Sequence, residues 1–289
     1  MKALFVMLTL VSLLIGDGQA QVTAVPGRMR LITYNVWYGF TKLPQRKTRW
    51  VEWMSRQQPD LVCLQELNGY TSDQLKRDAA SWGHEHSVLL KEDGFPTGLT
   101  SRFPIQDVQR LRKGFQHGAM RVLTAGSYVY VIHLHPSNWR TRQQEIEFVL
   151  ADFERLPDDA RVLLVGDFNT FSPKDKDHYQ SKLEVFFANR DDRFREVNLR
   201  EGQLDYSVVK RVEAEGFVDL EAKFREVFQG TFPTEIEKPG DDGDSRRLDY
   251  VFANPIVAKQ CVAARSIVDL ETAKISDHYP VIVDFKIAP

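Results

Sequence analysis

With 289 residues, 43% apolar and 27% charged, the chain has the makeup of an ordinary folded protein and is long enough to bury a sizeable core. Its formal charge of −2 argues against a large basic surface gripping duplex DNA, although an enzyme that samples nucleic acid loosely would fit. The two cysteines, Cys63 and Cys261, exclude a disulfide scaffold, and their apolar neighbours mark both as buried thiols.

Lys2, the apolar run from Ala3 to Ile15 and the small residues Gly18 and Ala20 have the order of a secretory signal peptide, with cleavage expected after Ala20. The run is shorter than the roughly 20 residues needed to span a bilayer, so no stable membrane insertion is expected. Without an internal repeat or low-complexity linker, residues 21–289 read as a single domain, expected to be secreted or periplasmic and monomeric.

Met29 to Tyr34 reads as a strand ending at Asn35. Trp50, Trp53 and Met54 then share one face of a helix between Gln45 and Gln57, which Pro59 terminates. The strand Leu61 to Leu64 runs into Gln65 and Glu66, and a glutamate closing a buried strand costs free energy unless it is paired or holds a metal. Helical character returns from Asp73 to Trp82, a short strand and turn from Thr97 to Ile105, and a loop between strands from Gly114 to Gly118. Tyr128 to Ile132 alternates as a strand and runs on to His133 and His135.

A one-face pattern of Ile146, Val149, Leu150 and Phe153 predicts a helix over residues 141–156. Next, Val162 to Val165 forms a continuous apolar run that stops at Gly166, Asp167 and Asn169, as a central strand buried on both faces would. Residues 172–228 have a helical, charged texture, with Leu183, Phe186, Phe187, Val208, Val209 and Val212 expected to cover one side of a sheet. The acidic, glycine-containing stretch 235–244 reads as a surface loop with no calcium-binding spacing. Two strands close the chain, and here the polar groups stand at the start: Arg247 and Asp249 before Tyr250, and Ser276, Asp277 and His278 before Tyr279. If these strands run antiparallel to the earlier ones, all the polar clusters meet at one rim.

The gathered set, Asn35, Glu66, His133, Asp167, Asn169, Asp249, Asp277 and His278, is rich in hard oxygen ligands and holds no thiolate. Such donors suit Mg2+ or Mn2+, and a metal, a base and hydrogen-bond donors together suit hydrolysis of a phosphate ester. Taken in order, Asn35, Gln65-Glu66, His133-Leu134, Gly166-Asp167-Phe168-Asn169, Arg247-Leu248-Asp249-Tyr250 and Ser276-Asp277-His278 resemble the signature of the endonuclease/exonuclease/phosphatase superfamily. This deoxyribonuclease I-like group also includes abasic-site endonucleases, inositol polyphosphate phosphatases and neutral sphingomyelinases, and the match runs from about Arg30 to Phe285.

The resemblance implies a four-layer αββα sandwich, an α/β arrangement of two mixed, mainly antiparallel sheets flanked by helices, with the site at one rim. It implies Glu66 as principal metal ligand, with Asn35 and Asp277 near the ion. Asp249 would orient His278, Asp167 would position or deprotonate the nucleophile, Asn169 would hold it or the phosphate, and His133 would donate to a phosphate oxygen or the leaving group. Which of Asp167 and His278 is the general base stays open.

Around this set, Arg247 is expected to bind substrate or pair with an acid, and Asn35, Asp167 and Asn169 each have a plain alternative in turn formation. His117 and His135 fit better as structural or loop histidines. Arg110, Arg112, Lys113 and Arg121 read as scattered surface, while Phe95, Phe115 and Trp139 are candidates for an exposed apolar rim or for core. The expected partner is a phosphate ester, whether nucleic acid, phospholipid head group or small phosphoester. The rival of another class is a non-catalytic binding module on the same fold.

Overall fold

The computed structural model describes residues 27–179, 181–236 and 243–286. The signal segment expected over residues 1–20, and part of the acidic loop 235–244, lie outside the described residues. None of the described helices is long and apolar enough to cross a membrane.

Two six-stranded sheets form the centre. The first contains β1 (Arg28–Asn35), β2 (Leu61–Gln65), β3 (His86–Leu89) and β4 (Gly98–Ser101). The second takes up the chain with β5 (Gln106–Leu111), β6 (Ala119–Thr124), β7 (Ser127–His133) and β8 (Val162–Asp167). Outside the sheets β9 (Leu199–Arg200) and β10 (Gln203–Leu204) pair with each other, and β11 (Val218–Asp219) and β12 (Asp249–Ala253) then complete the second sheet. Finally β13 (Cys261–Ser266) and β14 (Val281–Lys286) return to the first, whose order is β13-β14-β1-β2-β4-β3 against β11-β12-β8-β7-β6-β5. The sequence pattern anticipates two closing strands. The structure has three, because β13, with its mixed burial and the bulge between Cys261 and Ala263, carries no clean alternation.

The apolar runs explain the layering. Along β2, Leu61 and Cys63 face the other sheet while Val62 and Leu64 face outward, and along β8, Leu163 and Val165 point inward while Val162 and Leu164 point outward. Between the sheets lies a core that includes Leu31, Leu99, Val131 and Val251. Against the outer face of the first sheet pack α1 (Arg46–Gln57) and α2 (Ser72–Ser81), through Trp50, Trp53, Met54 and Leu75. The outer face of the second is covered by α3 (Trp139–Phe153) with Ile146, Val149 and Leu150, and by α5 (Ser207–Ala214) with Val208, Val209 and Val212. The result is the expected four-layer α/β sandwich.

Helix α4 (Ser181–Phe194) departs from expectation. Its Leu183, Phe186 and Phe187 do not cover a sheet but join Phe171, Leu204 and Leu248 in a separate cluster beside the rim where the polar residues meet.

Candidate active site

Strand direction brings the polar groups together. β1 runs parallel to β2, with Asn35 beside Gln65, and β14 is antiparallel to β1. In the second sheet β7 runs parallel to β8, with His133 beside Asp167, and β12 is antiparallel to β8, with Asp249 on its other side. The ends of four strands and the beginnings of two therefore share one rim, three from each sheet.

At this rim the backbone is held in unusual conformations. Trp37, Tyr38, Glu66 and Asn169 all have positive φ, between 49° and 58°, a region costly for residues with a side chain and frequent at functional sites. The Asn35 carboxamide fixes the loop by accepting from the Trp37 N–H at 3.0 Å, and the Glu66 carboxylate accepts from the Tyr38 N–H at 3.0 Å. Gly166 is required where it stands: at φ 138° a Cβ would lie 2.0 Å from the Ile132 carbonyl oxygen. That close approach turns the chain so that Asp167 leaves β8 toward the cavity.

Asp167 Oδ2 is the meeting point of the two sheets. It lies 3.0 Å from Asn35 Nδ2, 3.6 Å from His133 Nε2 and 3.8 Å from His278 Nε2. The same Asn35 amide donates to Glu66 Oε1 at 3.2 Å, and the Asn169 N–H donates to Asp167 Oδ1 at 2.9 Å. Behind His278, Nδ1 lies 2.8 Å from Asp249 Oδ2, a pairing that holds the ring with Nε2 toward Asp167. Ser276 braces the join by donating to the Asn35 carbonyl at 2.7 Å.

Burial and charge divide the titrating groups into opposite states. Burial alone would lower His278, but the carboxylates of Asp249, Asp167 and Asp277 outweigh it and hold the imidazole charged. Burial raises Asp167 strongly, against the pull of His278 and the donors from Asn169 and Asn35. His133, buried and beside His117 and His278, is pushed far down and stays neutral. One cationic imidazole, one neutral imidazole and one carboxyl shifted toward neutral pH thus lie within hydrogen-bonding range of a common point.

A cavity of about 460 Å³ opens onto these atoms and is lined by Glu66, His133, Asp167, Asn169, Asp277 and His278. Asn35 and Asp249 stand just behind this lining, reached through Glu66 and His278. All eight residues gathered from the sequence therefore belong to one site. Asp167, Asp249 and His278 also place one ligand atom each within 4.8 Å of one another. An ion bound there would break the 2.8 Å contact between His278 and Asp249, so the Glu66 side offers the better cation site. Each Glu66 oxygen accepts a single hydrogen bond and keeps lone pairs for a ligand, and Asp277 contributes a second carboxylate to the lining. Asp249 Oδ1 is buried with no hydrogen-bond partner among the described residues, which leaves room for one more polar group.

Arg247 corrects the expectation of a substrate contact. Its side chain is fully buried, its guanidinium reaches Asp175 at 2.9 Å, Asp219 at 2.7 and 2.9 Å and Glu221 at 3.2 Å, and its face lies over the Tyr250 ring. Four neighbours use up its donors and none is in the cavity. His117, read as a loop histidine, instead lines the cavity and stacks on His133 with ring centroids 4.3 Å apart. Its signal was topological: β6 opens two residues later and pairs back on β7, which ends at His133. His135 remains structural, accepting from the Ser137 N–H. Phe95 also lines the cavity, whereas Phe115 packs on Phe148 and Trp139 lies on a separate surface between Arg140 and Arg200. Arg121 is buried against Asp107 and Asp152, while Arg112 and Lys113 are exposed. Arg110, also exposed, donates to the Leu89 and Leu90 carbonyls.

Solved structures with this architecture include an AP endonuclease from Archaeoglobus fulgidus, at 18% identity and a TM-score of 0.66, covering 90% of this chain and all of that one. The 3′-5′ exonuclease NExo from Neisseria meningitidis matches at 21% identity and 0.64, covering 89% of this chain and all of the other. The 3′ phosphatase NExo from Neisseria bound to a product DNA hairpin matches at 19% and 0.63, over 89% and 99% of the two chains. At these identities the likeness establishes the fold. No curated protein matches the sequence significantly. The model of the Endonuclease/Exonuclease/phosphatase family matches residues 32–278, which spans the first site strand to His278, and the chain belongs to that family.

Proposed function

We propose that the protein is an exported phosphoric-ester hydrolase that uses a divalent cation, Mg2+ or Mn2+, and in-line attack of water. The observation that carries this reading is the convergence of Asn35, Glu66, His133, Asp167 and His278 from two sheets on a single point centred on Asp167 Oδ2. Glu66 and Asp277, with Asn35 beside them, would hold the cation, which when bound neutralises the non-bridging oxygens of the ester.

The chain's own groups then divide the work. Asp167 is the general base: its raised affinity for a proton suits it to take one from water near neutral pH. Asn169, placed by its N–H on Asp167, orients that water or the phosphate. His278 stays an imidazolium, kept so by Asp249, and stabilises negative charge growing on the phosphorus oxygens. His133, neutral and adjacent, is a donor to the leaving oxygen.

Hydrolysis of bis-p-nitrophenyl phosphate and of p-nitrophenyl phosphate with Mg2+, Mn2+ and EDTA tests the reading. Turnover that needs the cation and falls by several orders of magnitude in Glu66→Ala and His278→Ala supports it. A folded protein that turns over no phosphate ester would instead be a binding module on this fold.

A further inference from the structure

The far side of the cavity is built from flat groups. Phe171 stands two residues beyond Asn169, Phe186 and Phe187 come from α4, and Phe232 and Arg246 come from the segments that precede β12. Phe187 meets Phe171 and Phe186 edge to face, at 5.7 and 5.1 Å between ring centroids. The Arg246 guanidinium lies over Phe232 at 4.6 Å and over Phe186 and Phe187 at 5.2 and 5.5 Å. Phe232 in turn contacts the His278 ring at 4.9 Å. A continuous series of planar groups therefore leads from the reacting imidazole to helix α4.

Two features mark this wall as a ligand surface. Phe186, Phe187 and Phe232 remain half-exposed, although a chain with this much core could bury them on a sheet. The lining on this side is aromatic and guanidinium, with Leu248 the aliphatic exception among its described residues. Ring faces and a guanidinium plane favour a flat, polarisable partner over a flexible acyl chain. At about 460 Å³ the cavity has the size of a small-ligand site, enough for one phosphate and one ring system.

Resting on the proposed phosphoesterase reading, we infer that the wall formed by Phe186, Phe187, Phe232 and Arg246 is a subsite for a single planar heteroaromatic ring carried on the scissile phosphate ester, as in an unpaired nucleotide. The chain-specific part of this subsite is α4, whose two adjacent phenylalanines close the cavity.

Competitive inhibition of p-nitrophenyl ester hydrolysis by adenosine 5′-monophosphate and by ribose 5-phosphate tests this, since the two differ by the ring alone. The nucleotide is expected to bind about tenfold tighter or more, the range of one ring stacked on aromatic side chains. In Phe187→Leu, which keeps apolar bulk and loses the flat face, and in the Phe186→Ala/Phe187→Ala double variant, the ratio of the two inhibition constants should fall toward one. Equal inhibition by the two compounds in the unaltered protein, or a ratio unchanged in both variants, overturns the ring subsite. If no ester is hydrolysed, the proposed activity itself fails, and calorimetric titration with the same two compounds still reads the subsite: a preference for the nucleotide supports it and no preference overturns it.

Discussion

His278 Nδ1 lies 2.8 Å from Asp249 Oδ2, with both side chains almost completely buried. The contact gives the imidazole its charge and its direction at once, because Asp249 leads the carboxylates that outweigh burial and points Nε2 at Asp167. Asp249→Asn keeps the shape but removes the charge and can present the wrong hydrogen-bonding edge. Its kcat on p-nitrophenyl esters should fall about 100- to 10,000-fold, with little change in KM. A kcat within a few-fold of the unaltered enzyme would remove His278 from the charge-stabilising role.

Glu66 lies on the other sheet and has a different task. Its oxygens already hold the positive-φ loop through the Tyr38 N–H and meet the Asn35 amide, so Glu66→Gln should preserve the fold while weakening the cation. Calorimetric titration with Mn2+ should show affinity at least about tenfold lower in the variant, with thermal unfolding in EDTA unchanged. Undiminished Mn2+ affinity would move the cation to the cluster of Asp167, Asp249 and His278.

Much of this site was legible before the fold was known, because its residues sit where apolar runs stop. Val162 to Val165 could only be a strand buried on both faces, so what followed it had to emerge at a sheet end, and the same argument placed Asn35, Glu66 and His133. Arg247 escaped that reasoning because a basic residue two positions before a site aspartate looks the same whether it faces ligand or core. Only the long-range approach of Asp175, Asp219 and Glu221 decides it. His117, Phe186 and Phe187 were illegible for a related reason. Their neighbours in the cavity come from distant segments, and a helical apolar stripe does not say which surface it meets.

Arg247 is therefore expected to matter for stability. It is fully buried and neutralises a cluster in which Asp219 is kept ionised despite burial, chiefly by this guanidinium. Arg247→Met leaves those carboxylates buried without their cation, and urea unfolding should show a loss of about 3–5 kcal/mol. A substrate-binding role predicts the reverse pattern, a raised KM with an unchanged unfolding midpoint. Removing Asp219 together with Arg247 should cost less than the sum of the two single changes, since each single variant strands a charge.

His84 sets a pH dependence that can be read independently of the site. Its ring is buried, with Nε2 2.8 Å from the Pro59 carbonyl and Nδ1 2.8 Å from the Thr100 hydroxyl, whose oxygen also lies 3.2 Å from Trp82 Nε1. Since a carbonyl only accepts, Nε2 carries the hydrogen and Nδ1 accepts from Thr100, which makes the bound form the neutral imidazole. Burial pushes the group down to about 4 from its ordinary value of 6.5. Between those two values the unfolded chain takes up a proton that the folded chain refuses, so the stability gained from the neutral form is complete above pH 6.5 and is lost as pH falls toward 4. The slope approaches about 1.4 kcal/mol per pH unit and flattens below pH 4, where both states carry the proton. Urea unfolding at pH 7.5, 6 and 5 should show this loss in the unaltered protein, whereas His84→Gln should be less stable at pH 7.5 yet fall less steeply with acid. Parallel pH profiles for the two proteins would mean that His84 keeps its ordinary proton affinity in the fold, with Thr100 and Pro59 accommodating the charged ring.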